Sequence, residues 1–240
     1  NVKQFKSKYP NVILCCDNKH YWRRDFFPFY KSQRKHDREA SGLDWNLIFE
    51  TLNKIRDELK EFFPYKVLDV HGAEADDIIA VLTARLSSHS DVLILSSDKD
   101  FGQLQKYPNV SQYSPILKRF VKTENPAEYI REHIIKGDRG DGIPNILSPS
   151  DTFVRGVRQK VMTESKFTKF MSQNFDEYDE SSQIGFSRNQ TLIDLKNIPS
   201  DIQTKIINNY EETVPVAKGK ILDYFIANKL KNLIDVIEEF

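Results

Sequence analysis

Val92-Leu93-Ile94-Leu95-Ser96-Ser97-Asp98-Lys99-Asp100-Phe101 is the stretch on which the fold turns. Four consecutive apolar residues without polar alternation, bounded by a serine pair, describe a short strand covered on both faces, as in a parallel sheet. The strand ends on Asp-x-Asp. Val12-Ile13-Leu14-Cys15-Cys16 has the same form and runs into Asp17, and Val67-Leu68-Asp69-Val70 is a third short candidate.

Helical patterns lie between and after these strands. From Asp44 to Phe63 the apolar residues Trp45, Ile48, Leu52, Ile55, Leu59 and Phe62 recur every three or four positions, with Asp44 placed to cap and Pro64 to stop the helix. Glu74 to Leu86 repeats the period, and a further helix opens at Pro126 and closes at Gly137. Alternating strands and helices predict an α/β class, with a mostly parallel central sheet flanked by helices and a ligand site beyond the carboxyl ends of the strands. After Pro144 the strand pattern fades. Segments 163–175, 199–210 and 219–239 read as helices separated by polar stretches such as Asp176 to Ser182, which gives a smaller helical C-terminal part. The expected division is a core over residues 1–123 and a helical domain over 124–240.

A chain of 240 residues with 39% hydrophobic content can bury a sizeable core. No run approaches the roughly 18 apolar residues of a membrane span, and the first residues lack the order of a signal peptide, so a cytoplasmic protein without membrane partners is expected. Adjacent Cys15 and Cys16 point to opposite faces of a strand and read as buried thiols, in keeping with a reducing compartment. The formal net charge is zero, but its distribution is uneven. Lys19, Arg23, Arg24, Lys31, Arg34, Lys35 and Arg38 crowd one segment against only Asp25 and Asp37, whereas acids gather near 74–77, 98–100 and 138–141.

The acids form four clusters: Asp17; Glu74, Asp76 and Asp77; Asp98 and Asp100; Asp138 and Asp141. Glu74 and Asp77 share a helix face, and Asp98 and Asp100 leave a strand at the same end as Asp17. Eight converging carboxylates would repel one another by several kcal/mol unless cations neutralised them, and hard oxygen donors select Mg²⁺ or Mn²⁺. Two such ions about 3.5–4 Å apart suit in-line phosphodiester displacement, which needs no side-chain nucleophile. Taken singly, each acid reads as a helix cap or a solvated charge; the joint pattern points to chemistry. The five histidines show no zinc spacing and are expected at the surface.

Between Tyr21 and Arg34, cations alternate with aromatic rings. Arg and Lys can hold phosphates while rings stack on unpaired bases, although rings at helical spacing also simply pack a core.

The ordered blocks Leu14–Asn18, Tyr21–Phe26, Glu74–Asp77, Ser96–Phe101 and Gly137–Asp141 resemble the 5′-nuclease (flap endonuclease) superfamily, and within it the ribonuclease H branch of the T-even bacteriophages. Lys106–Val110 fits that branch too. The resemblance implies metal ligation by Asp17, Glu74, Asp76, Asp77, Asp98, Asp100, Asp138 and Asp141 around two ions. It implies a basic arch near residues 19–42 in which Arg23, Arg24, Tyr30, Lys31 and Arg34 hold the 5′ strand, with Arg23 and Lys31 assisting catalysis beside Asp17, Asp77, Asp98 and Asp100. The implied activity is a 5′-to-3′ nuclease that removes RNA primers and flaps during DNA replication. Its substrates would be DNA and RNA:DNA hybrids with 5′ ends, and its associates a sliding clamp and a single-strand DNA-binding protein. Such a chain would be a monomer, in the host cytoplasm if phage-encoded.

The family's chains open with a strand bearing another metal-binding Asp, whereas Asn1 stands just before what would be the second strand, so the first strand is expected to be absent. That departure keeps a non-catalytic nucleic-acid-binding module as an alternative. A PIN-type endoribonuclease would share the sheet and acidic centre but gives no reason for the Trp22–Arg34 block, and a phosphatase-like Asp-x-Asp enzyme would need its nucleophile on the first strand.

Overall fold

A computed structural model describes residues 2–240 as a mixed α/β chain with short sheets and a helix-rich C-terminal half. It divides into two compact units: residues 2–19, Asp44–Leu82 and Asp201–Phe240 form one, and His20–Leu43 with Thr83–Ser200 the other.

In the first unit, β1 (Ile13–Cys16) and β2 (Lys66–Asp69) pair in parallel, Cys16 opposite Asp69, so Asp69 at the end of β2 and Asp17 just after β1 lie at the same end of the sheet. Val67 and Leu68 are buried, as the apolar run requires. The helix Trp45–Phe62 begins on Asp44, whose side chain accepts the Leu47 N–H at 3.0 Å. Its last turns pack where Phe62 stacks on Tyr224 and Phe63 meets Tyr224, Phe225 and Phe240, and the Tyr224 hydroxyl donates to Glu58 at 2.8 Å. Its first turns differ from expectation. Leu52 and Ile55, on the predicted inward stripe, are exposed together with Leu47 and Phe49, whereas Leu59 and Phe62 in the last turns are partly buried.

In the second unit, β3 (Val92–Leu95) pairs in parallel with β4 (Val110–Ser114), which pairs antiparallel with β5 (Arg119–Val121). β4 and β5 are not evident in the apolar pattern, since β4 is Val-Ser-Gln-Tyr-Ser with Gln112 and Ser114 buried. The sheets are thus two small ones among the described residues, parallel in two of three pairings. Phe27, Tyr30, Ile134, Ile135, Ile146, Phe170 and Phe186 share one core.

The stretch expected as a polar spacer at Asp176–Ser182 instead caps and starts the helix Glu180–Ile193: Asp179 accepts the Ser182 N–H at 3.0 Å. That helix escapes an apolar-period reading because polar residues line its inner face. Arg188, 8% exposed, donates to the carbonyls of Pro144 (2.8 Å), Asn145 (3.3 Å) and Ser148 (3.2 Å), and Asn189 donates to those of Ile134 and Pro144. Burial pulls the Arg188 guanidinium down to about 10. Gly185 sits where a Cβ would be 2.1 Å from the Ile146 carbonyl oxygen, which lets the helix press against the 144–148 loop.

Arg188→Met removes donors from several buried carbonyls at once, so it should cost about 3 kcal/mol or more, read from urea unfolding. A loss below about 1 kcal/mol would show that water satisfies those carbonyls instead.

Candidate active site

β3 delivers the central acids. Beyond Leu95, the Asp98 carboxylate caps the 3₁₀ helix Lys99–Lys106 by accepting the Asp100 N–H at 2.9 Å. Buried Gln112 on β4 donates to the carbonyls of Ser96 (3.1 Å) and Asp98 (2.6 Å), and the Ser97 and Ser114 hydroxyls lie 2.7 Å apart. Gln112 and Ser114 are therefore buried to hold this strand end in shape.

The facing wall is the helix Pro126–Lys136, opened by Asn125, whose side chain accepts the Glu128 N–H, and closed by Gly137. Gly137 has φ 71°, and a Cβ there would be 2.5 Å from the Ile143 carbonyl oxygen, so only glycine turns the chain here without strain. Asp138 follows at once. Its Oδ1 accepts the N–H groups of Gly140 (2.8 Å) and Asp141 (3.2 Å); its Oδ2 lies 3.0 Å from His133 Nε2 and 3.2 Å from Lys99 Nζ.

His133 corrects the expectation that all five histidines lie at the surface: it is 7% exposed, whereas His20, His36, His71 and His89 are exposed. Its Nδ1 stands 3.4 Å from Asp100 Oδ1, and neither atom has a hydrogen-bond partner although both are buried. Ligand atoms of Asp100, His133 and Asp138 all lie within 4.8 Å of one another, a donor set that fits a divalent cation. The sequence held one hint: Tyr129, Ile130, His133 and Ile134 form one stripe of the helix, so His133 occupies a core position.

The electrostatics follow this geometry. Burial, reinforced by Asp98 and Asp138 and only partly offset by His133 and Lys99, pushes the Asp100 carboxyl up to about 6. Burial would raise Asp138 too, but hydrogen bonds and attraction from His133 and Lys99 prevail and hold it below the usual carboxylate range. Burial, with Asp100, Asp98 and Asp138 adding repulsion, raises the Tyr129 phenol, whose hydroxyl donates to the Lys99 carbonyl at 3.0 Å.

Asp141 faces elsewhere. Its carboxylate takes the Tyr30 hydroxyl at 2.9 Å and Arg34 at 2.8 Å, with Lys31 Nζ at 3.7 Å, and its carbonyl accepts the Lys31 N–H at 2.8 Å. It is joined to the metal-fitting group through its backbone and to the basic segment through its side chain. Lys31 adopts φ 53°, uncommon for a non-glycine, and Gly142 at φ 74° lets Phe29 approach.

Two arch residues are not placed as expected. Arg23 is 3% exposed and its Nε donates to the Leu192 carbonyl at 2.9 Å; Tyr30 is 2% exposed within the core. Both build the segment from beneath, and a contact 169 residues away in sequence cannot be read from a basic run. Arg24 and Arg34 are exposed.

In the first unit, Asp17 Oδ1 accepts the Ala75 N–H at 2.8 Å and Asp77 Oδ2 the Glu74 N–H at 3.0 Å, so both cap the helix Ala75–Leu86. Glu74 and Asp77 are buried and Asp76 is partly exposed. Asp69, at the end of β2, is matched by Arg56 (3.0 Å), Lys60 (3.8 Å) and Asn18 (2.7 Å) and so is a structural acid. Burial, with Cys16 and Asp76 beside it, pushes the Cys15 thiol up to about 12, which suits a packing thiol.

Residues 2–135 match the family described as 5′-3′ exonuclease, N-terminal resolvase-like domain, and residues 126–240 match the T4 RNase H C-terminal domain. Over its whole length the chain is 39% identical to the ribonuclease H of Enterobacteria phage T4, spanning 83% of that protein. It is 23% identical to a 5′-3′ exonuclease of Mycoplasmopsis pulmonis, spanning 78% of it. Among solved structures, the bacteriophage T5 D15 protein co-crystallised with metal ions superimposes with a TM-score of 0.64 at 19% identity, over 88% of this chain and 90% of that one. A T5 D15 flap endonuclease variant in a pseudo-enzyme-product complex with DNA and metal ions gives 0.62 at 19% identity, over 88% and 89%. At that identity these two likenesses speak for the fold.

The raised Asp100 carboxyl has a thermodynamic consequence. Its folded state holds the proton more tightly than the unfolded chain does, so this group's contribution is present below pH 3.8 and lost as pH rises through about 6. In chelator at pH 8, Asp100→Asn should therefore be more stable than the parent by on the order of 2 kcal/mol, read from urea unfolding. A variant less stable than the parent at pH 8 would contradict this reading.

Proposed function

The chain belongs to the 5′-3′ exonuclease family, with the C-terminal domain of T4 RNase H, and is accordingly a 5′-3′ nuclease; from that premise we propose that it hydrolyses phosphodiesters near the 5′ ends of RNA:DNA hybrids and DNA flaps, using Mg²⁺ or Mn²⁺. The observation that carries this proposal is the gathering of Asp100 and Asp138 around buried His133, at the turn that Asp98 caps. Three carboxylates gathered at a partly buried strand end need positive charge, and Lys99, 3.2 Å from Asp138, supplies only part of it.

A pair of hard cations, when bound, activates the attacking water and neutralises charge on the leaving oxygen. The chain's own residues hold and orient. Asp98 and Asp100 stand on a strand end fixed by Gln112 and Ser114, so their position survives the repulsion between them. In this proposal Asp17, Glu74, Asp76 and Asp77 of the first unit serve the same reaction, as the family resemblance implies. Arg24, Lys31 and Arg34 hold the phosphates of the 5′ strand, while Arg23 and Tyr30 keep the segment in place. Asp141, tied to Tyr30, Lys31 and Arg34 by its side chain and to Asp138 Oδ1 by its N–H, would keep strand grip in register with the acids. Primer and flap removal in replication, with a sliding clamp and single-strand-binding protein as associates, is the role such an activity would fill. A PIN-type endoribonuclease finds no support in a whole-chain relative named ribonuclease H of phage T4.

The purified chain should release short products from a 5′-labelled RNA:DNA hybrid in Mg²⁺ and none in excess chelator, with Asp98→Ala and Asp100→Ala silent in single-turnover assays yet still binding. Undiminished cleavage in chelator would end the proposal. Arg24→Ala and Arg34→Ala should each reduce the salt slope of DNA binding by about one phosphate contact, whereas Arg23→Ala should chiefly lower stability. An unchanged slope in both exposed variants would remove the segment from the strand grip.

A further inference from the structure

We infer that His133 is a nitrogen ligand of the divalent cation at Asp100, which makes this site a mixed nitrogen–oxygen site favouring Mn²⁺, Co²⁺ or Zn²⁺ over Mg²⁺. The inference rests on the reading of the acid cluster as a divalent-metal site.

The ring's two nitrogens have different surroundings. Nε2 lies 3.0 Å from Asp138 Oδ2, and that hydrogen bond assigns its proton to Nε2. Nδ1 is then the lone-pair side, and it faces Asp100 Oδ1 at 3.4 Å with no hydrogen bond between them. Two electron-rich atoms, both buried and both without a donor, point at one spot on the inner side of the helix Pro126–Lys136. Ligands each about 2.1 Å from a shared ion, at the angles of octahedral or tetrahedral coordination, stand about 3.0–3.4 Å apart, which the observed separation matches.

Asp138 completes the arrangement from behind. Its Oδ1 is taken by the N–H groups of Gly140 and Asp141, and its Oδ2 by His133 and Lys99. Its share in holding the ion therefore passes through the ring, whose tautomer and tilt it sets, the usual office of a carboxylate behind a ligating imidazole. Asp138 is a positioning residue in this scheme. Imidazole suits borderline transition ions better than Mg²⁺, which prefers oxygen and water.

Pulsed EPR of untagged protein with Mn²⁺ reads the coordinating atoms directly. The expected spectrum carries the nitrogen modulation of a bound imidazole, keeps it in H20Q/H36Q/H71Q/H89Q, and loses it in His133→Asn while Mn²⁺ remains bound. By calorimetry His133→Asn should weaken Mn²⁺ binding about tenfold and Mg²⁺ binding less. Should His133→Asn fail to fold, the fourfold variant still assigns the signal, because His133 is then the sole imidazole. Bound Mn²⁺ with an all-oxygen spectrum in the parent, or nitrogen modulation that persists in folded His133→Asn, would overturn the inference. Mg²⁺-dependent cleavage alongside that result would leave the nuclease reading standing; failure to bind Mn²⁺ or Mg²⁺ at all would overturn both.

Discussion

Repulsion among carboxylates that the chain forces together is the constraint from which the rest follows. Asp98, Asp100 and Asp138 are brought to one place by a strand end, a 3₁₀ turn and a glycine-hinged loop. Left alone they would push apart; the structure meets that cost with backbone N–H groups, one lysine and one histidine, and the balance shows as an Asp100 carboxyl held up to about 6. The stiff surroundings acquire a purpose in this light. Gln112, Ser114 and Gly137 fix backbone so that the acids cannot relax away from each other, which holds them together at a cost in stability.

The basic segment is joined to this arrangement through Asp141. A carboxylate beside a metal-fitting group would ordinarily add to the negative charge, but here its oxygens are taken by Tyr30 and Arg34 and approached by Lys31. The same five-residue loop thus presents Asp138 toward the acids and Asp141 toward the cations. Lys31 in a left-handed conformation and Gly142 against Phe29 mark where the two are pressed together.

How far the sequence carried the fold depends on which residues fill buried positions. β1, β3 and the helices Trp45–Phe62, Ala75–Leu86 and Pro126–Lys136 follow apolar runs or helical periods with clear cap and stop residues, and their bounds are legible to within a residue or two, although the stripe of Trp45–Phe62 is exposed at Leu52 and Ile55. β4 and the helix Glu180–Ile193 are not legible, because their inner faces carry Gln112, Arg188 and Asn189, which donate to backbone carbonyls, and Ser114, which pairs with the Ser97 hydroxyl, and these polar residues break the apolar period. Of the eight acids the sequence suggests would converge, Asp98, Asp100 and Asp138 gather here and Asp141 turns to the basic segment; the surroundings of Arg23, Tyr30 and His133 are not legible in the sequence, since each depends on a partner that only the folded chain supplies. His133 shows this most plainly: it is a polar residue on an apolar helix stripe, buried against Asp100 and Asp138.

Anomalous diffraction from crystals of this chain soaked in Mn²⁺ tests the central claim most directly. The account predicts a peak at bonding distance from the Asp100 carboxylate and His133 Nδ1. Ordered crystals showing no peak near Asp100, with that carboxylate turned to solvent, would contradict it.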